Sequence, residues 1–109
     1  EEQLSLGISV ILDAVFPRPE FRLKMKALAD HFHAGFRPIY CYCSDENTWQ
    51  ERVNNRSMIV PHWTPVKWEA VIEIRSYFRN WNPGTALFID AVHPLIDNVD
   101  LILKWLNQD

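Results

Sequence analysis

The sequence predicts an α/β domain in which helices cover both faces of a parallel sheet, a three-layer αβα arrangement. Three observations carry that expectation. Short apolar runs rich in β-branched and aromatic residues alternate with stretches of helical period. Each run ends in a polar residue that a parallel sheet would deliver to its rim. The segments between runs are long enough for right-handed crossovers.

Residues 8–12, Ile-Ser-Val-Ile-Leu, form the first run. Such a run fits a strand buried on both faces, and it ends at Asp13. Pro17 and Pro19 then open a helix whose apolar positions are Phe21, Met25, Leu28, Ala29 and Phe32. Gly35 suits the left-handed residue that would close it. Residues 39–43, Ile-Tyr-Cys-Tyr-Cys, form the second strand. Ser44 can cap the helix that follows, with Asp45 and Glu46 in its first turn, where the helix dipole favours acids. Trp49 and Val53 lie on one face of this helix, which fades near Asn54 and Asn55.

Residues 57–63 have no period and read as a loop. Thr64 and Pro65 then start a helix with a stripe of Val66, Ala70, Ile74, Tyr77, Phe78 and Trp81. Asn82, Pro83 and Gly84 make a turn. Residues 86–89 are the third strand, ending at Asp90. Pro94 opens the last helix, with Leu95, Val99, Ile102, Leu103 and Leu106 expected on its inner face. Residues 1–6 read as the end of a helix capped by Gly7. A helix this short and a sheet of three strands with open edges point to further structure upstream.

One domain spanning residues 1–109 accounts for the whole chain. Apolar residues make up 48% and charged residues 23%, which places it among globular proteins. The net charge of -3 disfavours a general nucleic-acid binder, which needs a basic face. No apolar run approaches the ~20 residues of a membrane span. Cys41 and Cys43 would face the same side of one strand, poor geometry for a disulfide, so a reducing, cytoplasmic setting is expected. Free strand cysteines are expected to be buried. His31 and His33 face different ways on a helix, and neither His62 nor His93 has a metal-binding partner nearby in sequence.

In parallel sheets ligands bind beyond the C-terminal strand ends, here Asp13, Ser44, Asp45 and Asp90. Asp13 could hold a metal ion or its waters. Arg18 and Arg22, on the loop and first helical turn beyond it, are placed for an anion, or else are solvated arginines beside a loop-capping acid. Arg52 and Arg56 lie four apart on a helix, where like charges repel by roughly 0.2–0.5 kcal/mol. No carboxylate precedes either by three or four residues, so the pair suits a bound phosphate, or else is a solvated basic patch, the commoner case for arginines.

The strand ending in Asp13, followed by Phe16 and the arginines, resembles the third-strand region of the P-loop kinases. The nearest group is the small kinases related to zeta toxin, polynucleotide kinase and chloramphenicol phosphotransferase. Asp13-Ala14-Val15-Phe16-Pro17-Arg18 is similar, with an insertion, to the Asp-Gly-Phe-Pro-Arg stretch of adenylate kinases. Glu51-Arg52-Val53-Asn54-Asn55-Arg56 resembles the arginine-bearing helix that leads into the kinase lid, which would span about 52–64. Trp81-Asn82-Pro83-Gly84 before a strand resembles the segment near the adenine pocket.

The resemblance implies the C-terminal part of a P-loop NTPase-like fold and an ATP-dependent phosphotransferase. Asp13 would stand near Mg2+. Arg18 or Arg22 would contact a small-molecule or nucleotide-like acceptor, Arg52 and Arg56 would steady the transferring phosphoryl group, and Trp81, Asn82 and Pro83 would border ATP. The G-x-x-x-x-G-K-[ST] loop of that family is absent from the 109 residues. The chain would therefore act only with an upstream segment or second subunit that supplies it. The alternative is a non-catalytic module that completes its sheet with a partner chain. A receiver-like or flavodoxin-like domain would need a lysine after a late strand, which Ile89-Asp90-Ala91-Val92 lacks.

Overall fold

A computed structural model describes residues 1–55 and 66–108. Its elements run α1 (Glu2–Ser5), α2 (Pro19–His31), β1 (Ile39–Tyr42), α3 (Glu46–Asn54), α4 (Trp68–Tyr77), β2 (Leu87–Asp90) and α5 (Leu95–Leu106).

The strands β1 and β2 pair in parallel, with Ile39 opposite Leu87 and Tyr42 opposite Asp90. The Leu87 N–H donates to the Pro38 carbonyl at one end, and the Ala91 N–H to the Tyr42 carbonyl at the other, at 3.0 and 2.7 Å. A parallel pair joined through helices is what the alternating pattern required. The three-layer parallel sheet is not formed: the sheet of the described residues has two strands.

The first expected strand is the one missing from that sheet. Residues 8–12 form no strand, and all five are solvent-exposed, Ile11 at 95%. An apolar run reads as a central strand only if neighbours cover both its edges and both its faces. The described residues provide neither. The exit of the segment is instead fixed sideways, where the Pro17 carbonyl accepts the Arg79 N–H at 2.8 Å.

Helix ends follow local chemistry. Gly7, at φ 76°, closes α1. The Ile8 N–H reaches back to Gln3 and the Gly7 N–H to Leu4, the paired bonds of a Schellman turn. The same motif ends α2, but with His33 at φ 55° as the left-handed residue. The Ala34 N–H donates to the Ala29 carbonyl and the His33 N–H to that of Asp30. The left-handed cap therefore falls two residues before Gly35, at a histidine, which tolerates this region better than most side chains. Asp45, not Ser44, caps α3. The expected helix start at Thr64 and Pro65, and most of the expected lid, lie outside the described residues.

Packing is thin. Among the described residues only Ala29, Ala86 and Ile89 are buried apolar ones, and Cys41 is exposed. The Cα radius of gyration is 16.0 Å, against about 13 Å for a compact chain of this length. The centre is aromatic: Tyr40 stacks on Tyr42 and on Phe78, with ring centroids at 5.7 and 5.3 Å, and meets Phe88 edge-on at 5.4 Å. Beside it, Trp49 and Trp68 meet edge-on between α3 and α4, with the Arg75 guanidinium within 6 Å of both rings and paired to Glu46 at 2.8 Å. The inner face of α5 differs from expectation. Asn98 is buried and Ile102 and Trp105 are half-buried, while Leu95, Val99, Leu103 and Leu106 face solvent.

Candidate functional site at the strand ends

The C-terminal ends of β1 and β2 are held together by Asp90. Its carboxylate accepts the N–H of Ser44, leaving β1, and of Val92, in the turn after β2, at 3.1 and 3.2 Å. Its backbone carbonyl accepts the Asn98 side-chain amide at 2.9 Å. His93 lies 4.0 Å from the second carboxylate oxygen. Hydrogen bonding from Ser44 holds this carboxyl below the ordinary aspartate range, helped by the Val92 N–H and the nearby histidine. Hydrogen bonds to the charged form favour ionisation.

Asp45 sits next to this junction. It accepts the Asn47 and Thr48 N–H groups at 3.0 and 3.4 Å and the Thr48 hydroxyl at 2.9 Å. The Thr48 hydroxyl is the main cause of its lowered pKa. The cap fixes the start of α3, and α3 carries Arg52 back toward the strand ends. There one Arg52 nitrogen donates to the Ala91 carbonyl at 2.9 Å. The side chain is exposed, so the rest of the guanidinium can meet a solute. Held in this way, a guanidinium can grip an anion without first being ordered.

The other expected site residues fall in different places. Arg56 lies outside the described residues. Asp13 is exposed on the unpaired segment and makes neither a hydrogen bond nor an ion pair with Arg52. Arg18 precedes α2 with its guanidinium 5.9 Å from the centre of the Tyr77 ring, in an open cleft with Pro19, Glu20 and residues 76–79.

Arg22 is buried, at 7% exposure. It donates to the carbonyls of Phe16, at 2.9 Å, and Arg79. Its guanidinium lies 4.4 Å from the centre of the Trp81 ring and 5.2 Å from that of Phe78. In this position it ties the unpaired segment, α2 and the end of α4 together. Burial lowers its pKa and raises that of the neighbouring Tyr40.

Trp81, Asn82 and Pro83 precede β2, so they stand at its N-terminal end. The Asn82 carbonyl closes a turn with Thr85, at 3.1 Å from its N–H and 2.6 Å from its hydroxyl, and Gly84 takes φ 85°. A strand of four residues spans about 13 Å. It separates these residues from Arg52 and Asp90 at the opposite end.

Among the described residues no group of three or more His, Cys, Asp or Glu side chains gathers to hold a metal. Mg2+ commonly takes one or two carboxylates together with phosphate oxygens and water, and Asp13 offers one exposed carboxylate of that kind. Asp90 is committed to backbone N–H groups. The phosphates of ATP need a cradle of backbone amides and a lysine, and the 109 residues contain no glycine-rich loop to build it.

Pattern reasoning missed Asn98 and the burial of Arg22. Asn98 had a usable signal, the one amide of a helix whose other polar residues, Asp97, Asp100 and Lys104, are charged. Arg22 had none, because its partners lie up to 59 residues away in the sequence. No protein-family model, curated protein or solved structure matches the chain. No helix of the described residues is long and apolar enough to cross a membrane.

Proposed function

We propose that this chain supplies the arginine-bearing rim of an ATP-dependent phosphotransferase acting on a small-molecule or nucleotide-like acceptor. The phosphate cradle comes from a segment outside these 109 residues. The observation that carries the reading is Arg52, anchored by one nitrogen to the carbonyl of Ala91 and otherwise open at the C-terminal ends of two parallel strands. Phosphoryl transfer depends on positioning and on neutralising spread negative charge, and a tethered guanidinium does both. Asp13 is assigned to Mg2+ and Arg18 to the acceptor. Both assignments rest on the motif resemblance and on exposure to solvent. The two unpaired cysteines support a cytoplasmic setting.

Nuclear magnetic resonance titration of the 109-residue chain with pyrophosphate, and separately with magnesium ATP, tests this rim. Without the cradle, binding of about 4 kcal/mol is expected, a millimolar Kd. The Arg52 side chain and the Ser44, Ala91 and Val92 amides should shift together, and Arg52→Gln should abolish the response. A rim unmoved by either anion, or shifts that persist in the variant, would refute the assignment. With the cradle supplied by an upstream segment or a second subunit, Arg52→Gln should lower acceptor phosphorylation.

The sheet of two strands, with both outer edges unpaired among the described residues, and the exposed apolar segment 8–12 favour a second reading, a module that completes its sheet with a partner chain. A well-folded monomer by light scattering at all concentrations would remove the need for that partner.

A further inference from the structure

The strand β1 carries two thiols. Cys41 lies within it and Cys43 is the first residue beyond it, and both are free. Side chains two apart along a strand share a face. Tyr40 and Tyr42 occupy the other face, where their rings stack 5.7 Å apart and meet Phe78 and Phe88. Cys41 therefore lies on the face of its cross-strand partner Ile89. Ile89 is buried and Cys41 is exposed, so this face is covered over β2 and open over β1. Cys43 is half-buried, and its S–H donates to the Asp45 carbonyl at 3.4 Å.

The spacing disfavours one product and suits another. At about 3.3 Å per residue the two β-carbons stand roughly 6.6 Å apart, beyond the roughly 3.5–4.5 Å of a disulfide. A metal ion held by two thiolates at about 2.3 Å each needs its sulfurs only about 4.6 Å apart. Each sulfur then leans about 1 Å toward the other, less than the length of its own C–S bond. The backbone between them is already pinned. The Pro38 and Tyr42 carbonyls accept the N–H groups of Leu87 and Ala91 at 3.0 and 2.7 Å, so binding does not have to order the chain.

The ligand count selects the ion. Among the described residues no third His, Cys, Asp or Glu side chain joins the pair. The Asp45 carboxylate, two residues on, is taken up by the N–H groups of Asn47 and Thr48 and by the Thr48 hydroxyl. Structural zinc takes four ligands, and Mg2+ or Ca2+ takes oxygen. Soft thiolates select copper(I), which two sulfurs in a line can satisfy.

We propose that Cys41 and Cys43 form a two-coordinate thiolate site for a soft monovalent metal ion, copper(I). Binding breaks two S–H bonds and forms two S–Cu bonds. Both protons go to water and no electron is transferred. The Cys43 thiol gives up its bond to the Asp45 carbonyl in the same step. The inference is independent of the phosphotransferase reading, because neither cysteine belongs to the Arg52 rim.

Anaerobic titration of the 109-residue chain with copper(I), in competition with bicinchoninate, tests the site. One ion per chain is expected, with two sulfur neighbours by X-ray absorption. Cys41→Ser and Cys43→Ser should each weaken binding by at least about 100-fold. Cys41 is exposed, so Cys41→Ser reads binding even where a change at half-buried Cys43 disturbs packing. Ile39→Cys added to Cys43→Ser rebuilds a pair two residues apart on the same face and should restore one ion per chain. Circular dichroism checks that each variant keeps the wild-type fold. One ion shared between two chains overturns the proposal, as does a serine variant that binds like wild type. A folded Ile39→Cys variant that does not regain copper would show that same-face spacing is not what binds, and would overturn it equally.

Discussion

Replacing Arg22 by methionine tests whether this arginine is a structural tie or a free anion-binding group. The side chain is 7% exposed and donates to two carbonyls, Phe16 and Arg79. It also lies over the rings of Phe78 and Trp81. A hydrogen bond from a charged donor contributes about 1.5–3 kcal/mol, and a desolvated cation–π contact up to about 2 kcal/mol. Against these stands the desolvation of the guanidinium, which methionine does not incur. A net loss of about 3 kcal/mol is expected for Arg22→Met, with two orphaned carbonyls as its main source. Domains of this size have only about 5–15 kcal/mol in all, and the described residues of this one bury three apolar side chains. Urea unfolding followed by tryptophan fluorescence reads the change, since Trp81 packs on the guanidinium. Arg22→Lys keeps the charge but not the fork and should lose about half as much. If Arg22→Met lies within about 0.5 kcal/mol of wild type, the usual range for surface changes, the tie is not formed and Arg22 is free for an anion.

Arg75→Ala should cost about 1–2 kcal/mol by removing the contacts with Trp49 and Trp68 and an exposed ion pair with Glu46. Differential scanning calorimetry should show a Tm lower by roughly 4–16 °C, and an unchanged Tm would refute the clamp. Asn98→Ala leaves the Asp90 carbonyl without its partner and should cost about 1–3 kcal/mol. Faster hydrogen exchange in α5 than in β1 would place the loss at that junction, whereas uniform exchange would not. Asp45 and Asp90 have folded-state pKa values below their ordinary ones, so each favours the fold above about pH 3.9. That contribution is lost as pH falls through their lowered values. Carboxyl carbon resonances of the two residues should titrate below about 3.9, and midpoints at or above it would contradict the bonds described.

Local rules were legible where a few neighbouring residues decide the outcome. The parallel pairing of residues near 39 and 87, the Gly7 cap and the acidic start of α3 all depend on short stretches of chain. The errors share another cause. An apolar run such as 8–12 states how much burial it needs and leaves its neighbours unnamed, and the described residues give it none. The last helix went wrong for the same reason. Apolar side chains surround most of α5, and the Asn98 bond to the Asp90 carbonyl, with Arg37 beside Trp105, selects the face that meets the sheet. The candidate site was half legible. Arg52 could be picked out as unpaired on its helix, but its anchor on Ala91 depends on a contact across 39 residues.

The same distinction explains why Arg52 and Arg22, alike in sequence, carry different proposals. An arginine binds a solute only with donors that the fold has not already used. Arg22 is buried, with two backbone carbonyls and two aromatic rings around it, and an anion reaching it would have to displace that packing. Arg52 has one nitrogen fixed and the remainder in water, next to an aspartate whose charge is already satisfied by backbone N–H groups and so repels an incoming phosphate less. Charge-satisfied acid, tethered base and open strand ends occur together only at this rim among the described residues. Arg52→Lys therefore separates positioning from charge. Lysine keeps the positive charge but is a point charge without the planar fork, so anion binding that survives Arg52→Lys unchanged would show that the tether to Ala91 contributes nothing.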